Sequence, residues 1–205
     1  MCIRSTASKT AASALLRSIS TLTAPQEAHR ITNMMETLTT SSPQELTQWW
    51  QQLAQDEQTP DHYELTEYGE LVLSPKPTNR HQRLCTQIAI QLQAQLNGEA
   101  AVEPAVFTTT AGIRVPDVVW MPESKWEGAD PTHDVLEAPD LVVEVLSPGN
   151  RKPEMDHKIH GYLHSGVKEV IVIGLTGSID YMRPDGRHTT SAFPLHLVLP
   201  AHLFA

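Results

Sequence analysis

Residues 139–162 read PDLVVEVLSPGNRKPEMDHKIHGY. The run Leu141-Val142-Val143-Glu144-Val145-Leu146 lies between Pro139 and Pro148 and is rich in β-branched side chains, so it predicts a strand buried on both faces. A helix is expected next. Pro153 suits a first-turn position, Met155, Ile159, Tyr162 and Leu163 recur at helical spacing, and Gly166 marks the end. Glu169 to Ile173 is a further apolar strand. The anomaly is Glu144. An unpaired carboxylate in the middle of a doubly covered strand would cost several kcal/mol, so a cation, a proton or a metal ion must hold it.

Upstream, Tyr63 to Thr66 and Glu70 to Leu73 flank Glu67-Tyr68-Gly69, a hairpin with the glycine in its turn. A helix capped by Thr78 or Asn79 follows, with Leu84, Ile88, Leu92 and Leu96 as one apolar stripe and Asn97-Gly98 closing it. An earlier helix starts at Ser42-Pro43 and carries Trp49 and Trp50. Strands are expected from Glu103 to Thr110 and over Val118 to Met121, with Glu123 to Pro139 as a loop. Downstream, Ser178 to Tyr181 and Thr189 to Phe193 face each other across Arg183-Pro184-Asp185-Gly186. This order implies an α/β fold, a mixed central sheet flanked by helices with β-hairpins.

The chain has 205 residues, 40% of them hydrophobic, which suits one soluble domain over 43–205. Residues 1–42 read as a disordered or targeting-like extension. Met1 to Gln26 lacks Asp and Glu and matches an organelle transit peptide, although a disordered extension or an initiator at Met34 or Met35 accounts for the same letters. Two cysteines, Cys2 and Cys85, without metal or redox spacing, fit a reducing, cytoplasmic setting. No apolar run reaches membrane-span length. A formal net charge of −9 excludes nucleic-acid binding by bulk electrostatics, but not a nuclease whose metal ions neutralise phosphate locally.

Asp117 opens one predicted strand and Glu144 lies inside another. Adjacent strands would bring both carboxylates to one rim, where hard oxygen ligands suit Mg²⁺ or Mn²⁺, and the backbone carbonyl of Val145 can add a third oxygen. An ion so held activates water and offsets charge growing on a phosphate.

Pro116-Asp117, the run Val143 to Pro148, Lys158, Tyr162 and Gly166 to Val170 together resemble the Uma2 family of restriction-endonuclease-like proteins, within the PD-(D/E)XK nuclease superfamily. Tyr63-Glu64-Leu65, Gly69 to Val72, Ser74-Pro75 and His81 extend the resemblance from Tyr63 to the C-terminus. It implies a metal-dependent endonuclease that hydrolyses phosphodiester bonds, with DNA as the expected substrate and a homodimer as a compatible assembly. Asp117 and Glu144 resemble the metal-binding acids and Glu64 the upstream acid beside them. The superfamily's E-x-K lysine would stand at 146, where this chain has Leu146, and Lys158 on the following helix is its expected replacement. His81, Tyr162 and Arg151 are candidates for touching substrate or supporting the ligands.

Other readings stay open. Glu144 can be a structural ion pair with Lys158 or Arg151, and the chain can be a catalytically inactive nucleic-acid-binding or scaffold protein that keeps the fold. His157, His160 and His164 on one helix cannot converge on a zinc ion.

Overall fold

The first described helix begins at the Ser-Pro pair. Helix α1 (Pro43–Gln55) is capped by Ser42, whose side chain accepts from the Glu45 N–H while the Glu45 carboxylate accepts from the Ser42 N–H at 2.8 Å. This reciprocal box satisfies two amides that a helix start leaves unpaired. Leu46 and Trp50 go into the core, whereas Trp49 lies over Gly69, where a Cβ would come within 2.1 Å of its ring. Gly69, at φ 74°, turns the hairpin between β1 (Tyr63–Leu65) and β2 (Leu71–Leu73). Helix α2 (Asn79–Gln95) is capped by the Thr78 side chain and buries Leu84, Cys85, Ile88 and Leu92 as one stripe. The computed structural model describes residues 40–74, 76–129 and 135–204, and the residues from Ser41 onward belong to one compact unit. The expected extension therefore lies outside the described residues, apart from 40–42.

After α2 come β3 (Glu99–Val102), β4 (Ala105–Thr108), β5 (Gly112–Arg114) and β6 (Val118–Met121). The strand expected from Glu103 to Thr110 is thus displaced and broken. Glu103 takes φ 54°, in the left-handed region, and ends β3 before β4 starts. Helix α3 (Glu123–Gly128) and β7 (Val135–Leu136) occupy parts of the stretch expected as loop. Then follow β8 (Leu141–Val145), α4 (Lys152–His164), β9 (Glu169–Ile173), β10 (Ile179–Arg183) and β11 (Gly186–His188). The last hairpin is tighter than expected. Arg183 pairs with Gly186 across Pro184-Asp185, so the return strand is Gly186–His188 rather than Thr189 to Phe193.

The strands form two mixed sheets rather than one, ordered β2-β1-β5-β4-β7 and β11-β10-β9-β8-β6-β3. In the second, β8 runs antiparallel to β6 and parallel to β9, and all five of its residues are buried. Leu141, Val143 and Val145 join the α2 stripe in one core cluster, while Val142 joins Met155, Ile159 and Tyr162 of α4 in another. Strand alternation therefore turns Glu144 toward α4.

Helix α4 also meets the first sheet. A Cβ on Gly161 would lie 2.6 Å from the Ala111 Cβ and 3.4 Å from Thr108 Oγ1. Gly161→Ala is expected to push α4 off the β4–β5 hairpin and cost about 1–3 kcal/mol, read as a lower urea midpoint at unchanged m-value. An unchanged midpoint would mean that the helix does not rest on Ala111.

Candidate active site

Glu144 is 4% exposed and has two partners at one oxygen. The Tyr162 hydroxyl donates to Oε1 at 2.8 Å, and Lys158 Nζ stands 3.3 Å from the same atom. Both partners come from α4, one turn apart. Lys158 Nζ also lies 2.8 Å from Glu64 Oε1, so one ammonium ties β8 to β1. Glu64 accepts further from Arg114 Nη1 at 3.1 Å and from the Val115 N–H at 3.0 Å. That pair follows from the sheet register. Leu65 is opposite Ile113, which places Glu64 opposite Arg114 one residue on and on the same face. Arg114 Nη2 reaches to 4.0 Å of Glu67, whose other oxygen is 3.5 Å from His157 Nε2.

The charge state follows from burial and neighbours. Burial raises the Glu144 carboxyl, Lys158 opposes this, and Asp117 and Glu64 add to it, so its pKa rises from an ordinary 4.5 to about 7. Burial would raise Glu64 too, but Lys158 and Arg114 outweigh it and hold that carboxyl below its ordinary range. For Lys158, burial acts downward and loses to Glu144 and Glu64, which hold the ammonium charged. Burial, with Glu144 beside it, keeps the Tyr162 hydroxyl protonated and donating.

Because the folded pKa of Glu144 lies above its unfolded one, the fold favours the protonated form. Its contribution to stability is whole below about pH 4.5 and is lost as pH rises through about 7. Glu144→Gln does not titrate, so the metal-free variant is expected to match wild type near pH 4.5 and exceed it by on the order of 1–3 kcal/mol at pH 8. Denaturation curves at the two pH values check this. A variant less stable than wild type at pH 8 would contradict it.

Asp117 immediately precedes β6. Val118 pairs with Val143, so Asp117 stands opposite Glu144 one step further along the register. Its side chain turns to the end of the sheet, where Oδ2 accepts from the Val145 N–H at 2.5 Å and Oδ1 lies 2.9 Å from His81 Nε2 on α2. The hydrogen bond that His81 donates to Asp117 raises the His81 pKa against the opposing effect of burial. Cys85, one helical turn beyond His81, completes a group of three in which one ligand atom from each residue lies within 4.8 Å of the others.

Of the expected residues, Glu64, Glu144, Lys158 and Tyr162 meet directly, and Asp117, His81 and the Val145 backbone adjoin them. Arg151 does not join this group through Glu144. It is exposed at the start of α4 and pairs with Glu154, and Lys158 supplies the cation that Glu144 requires. Arg114 escaped the sequence reading, Glu67 was read only as part of the hairpin turn, and Cys85 was read as lacking metal spacing, although its thiol lies within 4.8 Å of His81 and Asp117 ligand atoms. Arg114 becomes visible only once Gly112–Arg114 is assigned as a strand beside β1, whereas Cys85 shares a helical face with His81 and was within reach of spacing alone.

Donor chemistry in this corner fits a hard divalent cation. Tyr162 and Lys158 both approach Glu144 at Oε1, and among the described residues Oε2 accepts no hydrogen bond. Each Asp117 oxygen has a single partner and keeps a lone pair. The carboxylates Glu64, Glu144 and Asp117 outnumber the cations Lys158 and Arg114 set among them.

A family model described as Uma2, "Putative restriction endonuclease", matches residues 44–196. Among solved structures, the chain is similar to a crystal structure of "a putative nuclease belonging to DUF820" from Anabaena variabilis. The two share 20% sequence identity at a TM-score of 0.59, over 76% of this chain and 96% of that one. Likeness at that identity speaks for the fold. No curated protein sequence matches the chain.

Proposed function

Because the chain belongs to the Uma2 family of putative restriction endonucleases, we propose that it is a metal-dependent nuclease that hydrolyses phosphodiester bonds in DNA. The observation that carries this reading is the placement of Asp117 one step beyond the Val118–Val143 pair, level with Glu144 at the end of the β6–β8 ladder, with Lys158 at 3.3 Å from the second acid. Asp117 and Glu144 would hold Mg²⁺ or Mn²⁺ with help from the Val145 carbonyl. Such an ion, when bound, supplies an activated water and a positive charge beside the scissile phosphate.

The protein's own groups do the rest. Tyr162 fixes the Glu144 carboxylate by donating to Oε1, which leaves Oε2 for a ligand. Lys158 is held in place by two carboxylates and offers an ammonium that orients the attacking water or offsets transition-state charge, the role of the lysine absent at 146. Glu64 anchors Lys158 and, with Arg114 beside it, joins the first sheet to the site. His81 orients Asp117 from α2.

Incubation of the purified chain with plasmid, single-stranded and branched DNA in Mg²⁺ or Mn²⁺ tests the activity. Cleavage that persists in Glu144→Ala and Asp117→Ala would trace to a contaminant. One observation favours a second reading, a scaffold or binding protein that keeps the fold without catalysis. Every charged side chain of the cluster is already paired within the protein. Calorimetry separates the two. Mg²⁺ or Mn²⁺ binding that is lost on Glu144→Gln supports the nuclease, and absence of binding supports the scaffold.

A further inference from the structure

His81 and Cys85 stand one turn apart on α2 and point at Asp117, which reaches α2 from the start of β6. This group differs in chemistry from the oxygen ligands on the α4 side. An imidazole, a thiol and a carboxylate with one ligand atom each inside 4.8 Å match the donors of a borderline transition-metal ion, and Mg²⁺ does not take thiolate. We propose that His81, Cys85 and Asp117 form a three-ligand site for a Zn²⁺-class ion, with a fourth position open to water.

The geometry meets the requirements of such a site. Two ligands at i and i+4 of a well-capped helix are fixed relative to each other. The third is fixed by the Val145 N–H at its far oxygen. Cys85 is fully buried, but the His81 and Asp117 side chains are 17% and 16% exposed, so an ion enters from their side and meets the thiol last. Glu103, held at 2.8 Å by the Gln82 amide beside His81, adds negative charge at the entrance. On binding, the Cys85 thiol gives up its proton to solvent, His81 ligates as the neutral imidazole, and the direct His81–Asp117 contact is replaced by bonds to the ion.

The site shares Asp117 with the Mg²⁺ pair, so its occupant would withdraw that carboxylate from the nuclease centre. Only this inhibitory consequence rests on the nuclease reading. Binding itself does not.

The test is titration of the chelator-treated full chain with Co²⁺, followed by absorption. A thiolate-to-Co²⁺ charge-transfer band in the near ultraviolet and intense visible bands of a four-coordinate ion are expected, both erased by one equivalent of Zn²⁺ and not by excess Mg²⁺. The thiolate band should be lost in Cys85→Ser and in His81→Ala and kept in Glu144→Gln. Absence of the band in wild type, or its survival in Cys85→Ser, would overturn the site. If Cys85→Ser fails to fold, His81→Ala decides alone, because its side chain is partly exposed and lies outside the core clusters. Zn²⁺ is further expected to stop Mg²⁺-dependent cleavage by wild type and to spare Cys85→Ala. A protein that shows the Co²⁺ bands yet cuts no DNA keeps the site and loses only the nuclease reading.

Discussion

Glu144→Gln and Asp117→Asn are each expected to lower Mg²⁺-dependent DNA cleavage by about 10³-fold, and the double variant by little more. In the proposed mechanism the two carboxylates would act as a unit, because an ion held by one of them alone would lose its position beside the phosphate, so loss of either would remove most of what both achieve. The substitutions preserve shape. Gln at 144 can still accept from Tyr162, and Asn at 117 can still accept from the Val145 N–H, so the fold around them is retained. Glu144→Gln is also the variant expected to gain stability above neutral pH, which makes the outcome diagnostic. Lost activity in a protein that is more stable than wild type cannot be assigned to unfolding. Measurement needs single-turnover cleavage rates over a Mg²⁺ titration with circular dichroism of each variant. Retention of more than a tenth of wild-type cleavage in either single variant would remove that acid from the ligand set.

The centre of this site was legible because its signals are local. Leu141 to Val145 is an uninterrupted apolar run with one acid, and Pro153, Met155, Ile159 and Tyr162 fix the phase of α4, so Glu144 and the α4 side chains were in view before their contacts were. The division into two sheets was not. It depends on Gly112–Arg114, three residues whose strand character comes from pairing with β1 and β4 rather than from composition. The same hidden strand carries Arg114, which explains why a cation in contact with Glu64 escaped notice. β3 was missed for a related reason, since Glu99–Val102 holds two alanines and gains its order from β6. The orientation of Asp117 lay beyond any pattern rule. Alternation alone would send it to the α4 face with Glu144, and only its contacts with His81 and the Val145 amide at the sheet end reveal the turn toward α2.

Lys158→Met is expected to be the most destabilising single change in the cluster, by about 3–5 kcal/mol at pH 8. The ammonium is the shared partner of Glu64 and Glu144, 5% and 4% exposed, and its removal leaves two acids facing each other in a place that water scarcely reaches. Met keeps the length and the apolar stem, so lost volume contributes little. If mutual charge is the cause, neutralising one acid must relieve it. Lys158→Met/Glu144→Gln is therefore expected to recover most of the stability, a coupling on the order of 2 kcal/mol in a double-mutant cycle. Cleavage should not recover at all, because the double variant lacks both the cation and a ligand. The separation of the two readouts is what distinguishes a catalytic ammonium from a structural one. Were Lys158→Met to cut DNA at the wild-type rate once its fold was rescued by a neutral residue at 64, with Glu144 intact, the lysine would hold the sheets together and take no part in the chemistry. The same cycle run at pH 5 should show a much smaller coupling, since Glu144, with its carboxyl raised to about 7, is then already protonated.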